Sequence, residues 1–277
     1  MLPGLLHATA TRYVQPLREG GSLPAVVDTD HGLFVVKFRG AGQGPRALAA
    51  ELIVGRLAAA MGLPVPALAL VDVPASFGRS EPDPEIQDLL RASHGVNVGL
   101  RYLDGAFNFA SQAAAEVVTA EFASRLVWLD AFVTNPDRTD RNPNLLVWNR
   151  QPWLIDHGAA LYVHYDWAAV DDVRIRAPFP LIAQHVLLRD ADRIASVDRD
   201  VVTTLTEPLI RDVLQEVPDE LLVAGDGTAD VLPADARERY IRYLTARLAA
   251  SRSFVSAALD ARARLLTANP VPLAARR

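Results

Sequence analysis

The 277-residue sequence contains no cysteine. That single absence removes disulfides, thiolate nucleophiles and zinc–thiolate sites, and it fits a reducing compartment. No apolar run approaches the roughly 20 residues a membrane helix needs, and the start, MLPGLLHATATRYV, lacks the basic and long apolar regions of a signal peptide. A soluble, cytoplasmic protein without a membrane partner is expected. A basic excess is missing too: the formal net charge is -5, which argues against nucleic acid as a partner. The nucleotide motif G-x-x-x-x-G-K-[ST], a G-x-G-x-x-G between strand and helix, and the G-x-S-x-G nucleophile turn do not occur. No two histidines stand at the i, i+4 spacing of a helical zinc site, so His157, His164 and His185 are expected to be structural. Internal repeats, heptads and low-complexity tails are likewise lacking.

What is present is ample apolar material, half of all residues, enough for one large domain or two lobes. RYVQPL (12–17), LPAVVDT (23–29) and LFVVKF (33–38) read as a three-strand meander, its first turn built on REGGS. PRALAAELIVGRLAAAMGLPVP (45–66) predicts a helix: it opens on Pro, spaces Leu48, Leu52, Gly55 and Ala59 helically, and stops at Gly62. Strands are predicted at 67–74 and 96–105, with a short helix at 84–95 between them. The character then changes. Residues 113–134 predict one helix, 145–148 and 152–156 a strand pair, 166–199 irregular structure, and 201–215, 234–250 and 254–268 three closing helices. The expected fold class is α+β, with a small β-rich part at 1–105 and a larger, mainly helical part at 106–277 forming two lobes around a cleft.

Between two apolar runs lies NPDRTDRNPN (135–144), and ten residues on comes LIDHGAAL. Asn, Asp and Pro make ordinary turns, so the loop acquires meaning only from its company. Along the chain come a glycine turn (Gly20, Gly21, Ser22), a strand lysine (Lys37), a helix glutamate (Glu51), the Asp/Asn loop, and Asp156 before His157-Gly158. A protein-kinase-like fold presents its parts in this order. The chemistry explains the residue types. Glycine-turn amides approach phosphates where side chains would collide, and a lysine supplies a cation to their oxygens. Glu51 would hold Lys37 in place, hard oxygen ligands would bind magnesium, and a further carboxylate would accept the proton of the attacking hydroxyl. Singly, each residue has a plainer reading: Lys37 as a snorkelling edge-strand lysine, Glu51 on a solvated helix face, Asp156 in a strand-end turn. Kinase catalytic loops place Asn five residues after Asp. Asp137 and Asn142 have that interval, and Asn144, directly before a strand, is the second choice. Arg138 and Arg141 either bind phosphate or pin the loop.

GGSLPAVV (20–27), the stretch 33–66, NPDRTDRNPNLLVW (135–148) and LIDHGAAL (154–161), with PLIAQHVLL (180–188) and VPDELL (217–222), resemble the HipA-like kinase family, its short branch above all. The resemblance implies a bilobal kinase-like fold and phosphorylation with ATP and magnesium. It makes Asp137 the catalytic base, Asn142 and Asp156 the magnesium ligands, and Lys37 the ATP-phosphate lysine. The family toxins carry an additional N-terminal region, so no antitoxin partner is expected here. The acceptor is a hydroxyl of a protein or a small molecule. AMP transfer on the same scaffold and a non-catalytic nucleotide-binding module are the rival readings.

Overall fold

The computed structural model describes residues 3–17, 23–79, 81–110, 114–223 and 232–268. The expected glycine turn at Gly20, Gly21 and Ser22 lies outside the described residues. Strands β1 (Leu6–Pro16), β2 (Ala25–Thr29), β3 (Gly32–Lys37), β4 (Leu68–Val73) and β5 (Gly95–Arg101) do form, and they close into a barrel of order β1-β2-β3-β5-β4. Closure comes from the parallel pairing of β1 with β4, Leu6 to Thr9 against Ala69 to Asp72. This pairing recruits LHATAT into β1, six residues earlier than expected, although alanine is a weak strand former. The barrel is narrow, so alanines (Ala8, Ala10, Ala25, Ala69) share its interior with Phe34, Phe38 and Val71. A side chain at Gly99 would place its Cβ 2.7 Å from a Val71 methyl and 3.3 Å from Phe34.

Helix α1 (Gly44–Ala60) has Pro45 in its first turn and ends before Gly62 at φ +74°, where glycine is at ease. Every residue from Ala47 to Ala58 is buried, because β4 and β5 cover one side and later helices the other. Such a helix is apolar all round rather than striped. Gly55 lets it approach the barrel: a Cβ there would meet Leu68 Cδ1 at 2.7 Å. The buried Arg56 reaches out to Glu216 with two 2.6 Å hydrogen bonds, a bidentate pair.

Helix α2 (Pro84–Ala92) lies between β4 and β5 in sequence, and its first turn is capped by Asp83. The helix expected at 113–134 is two, α3 (Ala114–Val117) and α4 (Ala120–Phe132), because Thr119 accepts the Phe122 N–H and starts a new helix. A three-stranded sheet follows, β6 (Phe107–Asn108), β7 (Leu145–Trp148) and β8 (Gln151–Leu154), in which β6 was not foreseen. Asn149 and Arg150, both at positive φ, join β7 to β8 as a two-residue turn. Within 166–199 the chain forms short 3-10 turns, α5 (Asp172–Arg176) and the start of α6 (Ile194–Thr204). The helix expected at 201–215 is split into α6 and α7 (Glu207–Gln215), since Thr206 caps α7 and Pro208 cannot continue α6. Helices α8 (Asp219–Leu222), α9 (Pro233–Ala249) and α10 (Ser251–Thr267) close the chain.

The main apolar core runs without interruption from α1 through α4 to α10, with Trp128, Phe132 and Phe254 in mutual ring contact at 5.1 to 6.0 Å. Arg247 is buried in it. Its guanidinium donates to the carbonyls of Ala131 and Phe132 at the end of α4 and to those of Ile175 and Ala177 at the end of α5. A cation there meets both the orphan carbonyls and the negative end of the helix. Replacing Arg247 by Met should therefore cost about 3 kcal/mol or more, because buried carbonyls lose their donors. Urea unfolding of the variant is the measurement.

Candidate active site

Three elements converge on Lys37. It is the last residue of β3, opposite Val98 of β5, and only 8% exposed, so its ammonium is held at the wall of the cleft by partners rather than spread over an outer surface. Its Nζ lies 2.8 Å from Glu51 Oε2 and 2.6 Å from Asp156 Oδ1. Glu51 is fully buried in α1, and the same Oε2 accepts the backbone N–H of His157 at 2.6 Å. Burial opposes charge on Lys37, but Glu51 and Asp156 outweigh it and hold the amine above the usual lysine range. Asp156 is likewise pushed up by burial, yet Lys37 prevails and keeps the carboxyl below the ordinary range. The solvated-face reading of Glu51 and the snorkelling reading of Lys37 do not match this geometry.

The β7–β8 hairpin delivers two further residues. Asn144 directly precedes β7, Asp156 follows β8 by two residues, and Ile155 N–H bonds to Asn144 O at 3.1 Å, so the two ends meet. Both residues adopt left-handed backbone, φ 48° and 54°, which Asn and Asp tolerate better than most. In the loop, Asn142 Nδ2 and Asn144 Nδ2 both donate to Asp137 Oδ2, at 2.8 and 3.1 Å. Each amide thus keeps its oxygen for another use, and Asp137 Oδ1 has no partner among the described residues. Lys37, Asp137, Asn142, Asn144 and Asp156 line one cleft of about 1110 Å³, which also has apolar walls from Val35, Leu100 and Ile155. Glu51 stands behind Lys37 rather than in that lining.

Behind the loop is a buried network that the sequence did not announce. Asp130, in the last turn of α4, is fully buried. Its Oδ2 accepts from Arg138 Nε at 2.6 Å and His185 Nε2 at 3.0 Å, and its Oδ1 accepts from Asn135 at 3.0 Å. Burial pushes the Asp130 carboxyl up, but Arg138 and His185 overcome this and hold it well below the usual range. Arg138 also donates to the carbonyl of Asn144 and lies 3.3 Å from His157 Nδ1. Arginine cannot accept, so Nδ1 is the bare nitrogen of His157 and its Nε2 carries the proton. Arg138 therefore pins the loop, whereas Arg141 is exposed at the cleft. Asn135 is turned away to Asp130 and the Asp137 N–H. The available signal was Asp130 itself, a charge inside the apolar run LVWLDAFV, where an acid without a partner would be costly.

A family model described as HipA-like kinase matches residues 14–243, most of the chain. The chain belongs to the HipA-like kinase family. Among solved structures, it is similar to the proinflammatory kinase CtkA of Helicobacter pylori, with TM-score 0.55 and 12% identity over 94% of this chain and 99% of that chain. At that identity the likeness concerns the fold alone. None of the curated proteins matches the sequence. Among the described residues no helix is long and apolar enough to cross a membrane. The HipA-like reading of the motifs thus agrees with the family, and the structure gathers Lys37, Glu51, Asp137, Asn142, Asn144 and Asp156 into two linked clusters.

Two outcomes follow. Arg138→Met leaves Asp130 as a buried, poorly paired charge and should cost about 3–5 kcal/mol. Asp130→Leu combined with Arg138→Met should cost less than the sum of the singles, read by a double-mutant cycle in urea. Burial drives the histidines down, His157 to about 4 and His164 to about 3, with His185 also lowered. The unfolded chain binds those protons near pH 6.5 and the folded one does not. Stability is thus complete above about pH 6.5 and falls as pH drops toward 4, by up to about 1.4 kcal/mol per pH unit for each histidine. Unfolding at pH 7.5, 6 and 5 should show that slope, shallower in His164→Phe.

Proposed function

We propose that this HipA-like protein is an ATP- and magnesium-dependent kinase that transfers the γ-phosphoryl group to a hydroxyl. One observation carries the reading: Asp137 presents a free carboxylate oxygen to the same cleft that Lys37 and Asp156 enter, with its other oxygen clamped by Asn142 and Asn144. A general base needs that kind of fixed, half-engaged carboxylate. Residues 1–105 act as the nucleotide-holding lobe and 106–277 as the acceptor-holding lobe. Gly20, Gly21 and Ser22 offer backbone amides to the phosphates, and the apolar walls suit a base.

Magnesium fits the donors. Asp156 has a carboxylate oxygen not bonded to Lys37, and Asn142 and Asn144 have amide oxygens, all hard ligands. Among the described residues no three His, Cys, Asp or Glu cluster as an all-protein metal cage. Magnesium commonly takes one or two carboxylates and completes its shell with phosphates and water. When bound it neutralises charge on the phosphates. Lys37, held charged by Glu51, contributes a second cation to the phosphate oxygens. Asp137 orients the acceptor hydroxyl and takes its proton as the new O–P bond forms. The bond from the γ-phosphorus to the bridging oxygen breaks, and ADP leaves.

Incubation with ATP and magnesium should release ADP, whereas AMP-modified product with pyrophosphate would instead mean nucleotidyl transfer. Asp137→Asn should lower turnover by about 10²- to 10⁴-fold with ATP affinity retained. An unchanged turnover in that variant would remove Asp137 from the chemistry, and ATP binding without turnover in the unaltered protein would favour a regulatory module.

A further inference from the structure

Helix α9 carries four arginines, and two of them are occupied. Arg237 donates to Leu214 O, Val217 O and Asp219, and Arg247 serves the buried carbonyls described above. Arg239 and Arg242 differ: among the described residues neither has an ion pair or a hydrogen-bond partner. Three residues apart, they lie on one face of the helix. They form one wall of a separate hollow of about 320 Å³, the remainder being Trp167, Val170, Ile175 and Tyr243, with Ala168 at its edge. Trp167 stands edge-on to Tyr240 and Tyr243, with ring centroids 4.9 and 6.2 Å apart, and its indole N–H has no partner among the described residues. Arg174 adds positive charge beside Tyr243.

Neighbouring unpaired guanidiniums repel each other, and in a chain of net charge -5 they stand against the overall sign. A guanidinium fork matches a carboxylate, and an aromatic floor matches a ring or an aliphatic group. The volume is at the low end of ligand sites, room for a few side chains rather than a nucleotide. The hollow shares no lining residue with the large cleft, yet Trp167 lines the hollow and Ala159, eight residues earlier, lines the cleft. Eight residues of chain span at most about 28 Å. An extended peptide of similar length can therefore reach from one to the other.

We infer that this hollow binds an acidic, aromatic-bearing peptide segment of a protein acceptor, with Arg239 and Arg242 taking carboxylates and Trp167, backed by the buried Tyr243, taking the adjoining ring. The acceptor role rests on the kinase reading, whereas the binding does not. The first test titrates fluorescein-labelled poly(Glu,Tyr) against the whole protein by fluorescence anisotropy. Arg239→Glu with Arg242→Glu should weaken binding at least ten-fold, Arg239→Gln with Arg242→Gln should weaken it less, and raised salt should weaken it in the unaltered protein. Arg199→Glu, an exposed arginine on α6, should change it by less than two-fold. Circular dichroism keeps folding in view. A loss under three-fold in the double charge reversal, or an equal loss from Arg199→Glu, overturns the inference. The second test supplies dephosphorylated casein, an acidic protein, with ATP and magnesium. The charge reversal should raise KM for casein at least ten-fold with kcat within two-fold. ADP formation with an unmoved KM would overturn the acceptor assignment. Arginine-dependent binding with no ADP from the unaltered protein would leave the binding site standing and remove the kinase reading.

Discussion

Glu51 Oε2 is the atom on which the candidate site depends. It receives both the Lys37 ammonium and the His157 backbone N–H, and so joins β3, α1 and the end of the β7–β8 hairpin at one point. A fully buried carboxylate is costly unless it is paired and hydrogen-bonded. The three elements can therefore satisfy their charges only by coming together, and Asp156 comes with them because it is the residue before His157. Lys37 then stands between two carboxylates, charged and confined, at the wall of the cleft.

A second buried charge performs the same service for the loop. Asp130 cannot reach water, and its partners Arg138, His185 and Asn135 come from the loop and from the segment beyond the hairpin. Because Arg138 also bonds the Asn144 carbonyl and touches His157, the loop and the Asp156 segment share one hub. Asp137, Asn142 and Asn144 can then meet at the loop's surface while its underside is locked. Residues that bear no chemistry in the proposed reaction thus decide where the reactive ones stand.

Much of this was legible in advance. Pro45 and Gly62 bracket α1 through backbone rules that act locally, and the strand cores of β2 to β5 follow from runs of Val, Leu and Phe. The candidate residues were readable because charge, amide and glycine types occurred in a particular order, a property of the chain itself. The misreadings were also physical. The helices expected at 113–134 and 201–215 had continuous apolar spacing, yet Thr119 and Thr206 cap new helices inside them, and the capping geometry overrides the periodicity. The first half of β1 lacks a strand pattern because Ala8 and Ala10 are poor strand formers on their own. The parallel pairing with β4 and the narrow barrel interior make them strand residues.

By itself, the sequence determined the order of elements, the family, and a short set of acidic, amide and lysine positions, because these depend on residue type and near neighbours. The tertiary structure alone decided that Glu51 faces inward, that Asn142 and Asn144 converge on one oxygen of Asp137, and that Arg138 turns from the cleft to Asp130. Each of these is a choice of side-chain partner made in the folded chain, and for Glu51 and Arg138 it is driven by the need to satisfy buried charge. No local pattern encodes that need: the partners, five to more than a hundred residues apart, become neighbours only when the core closes around them.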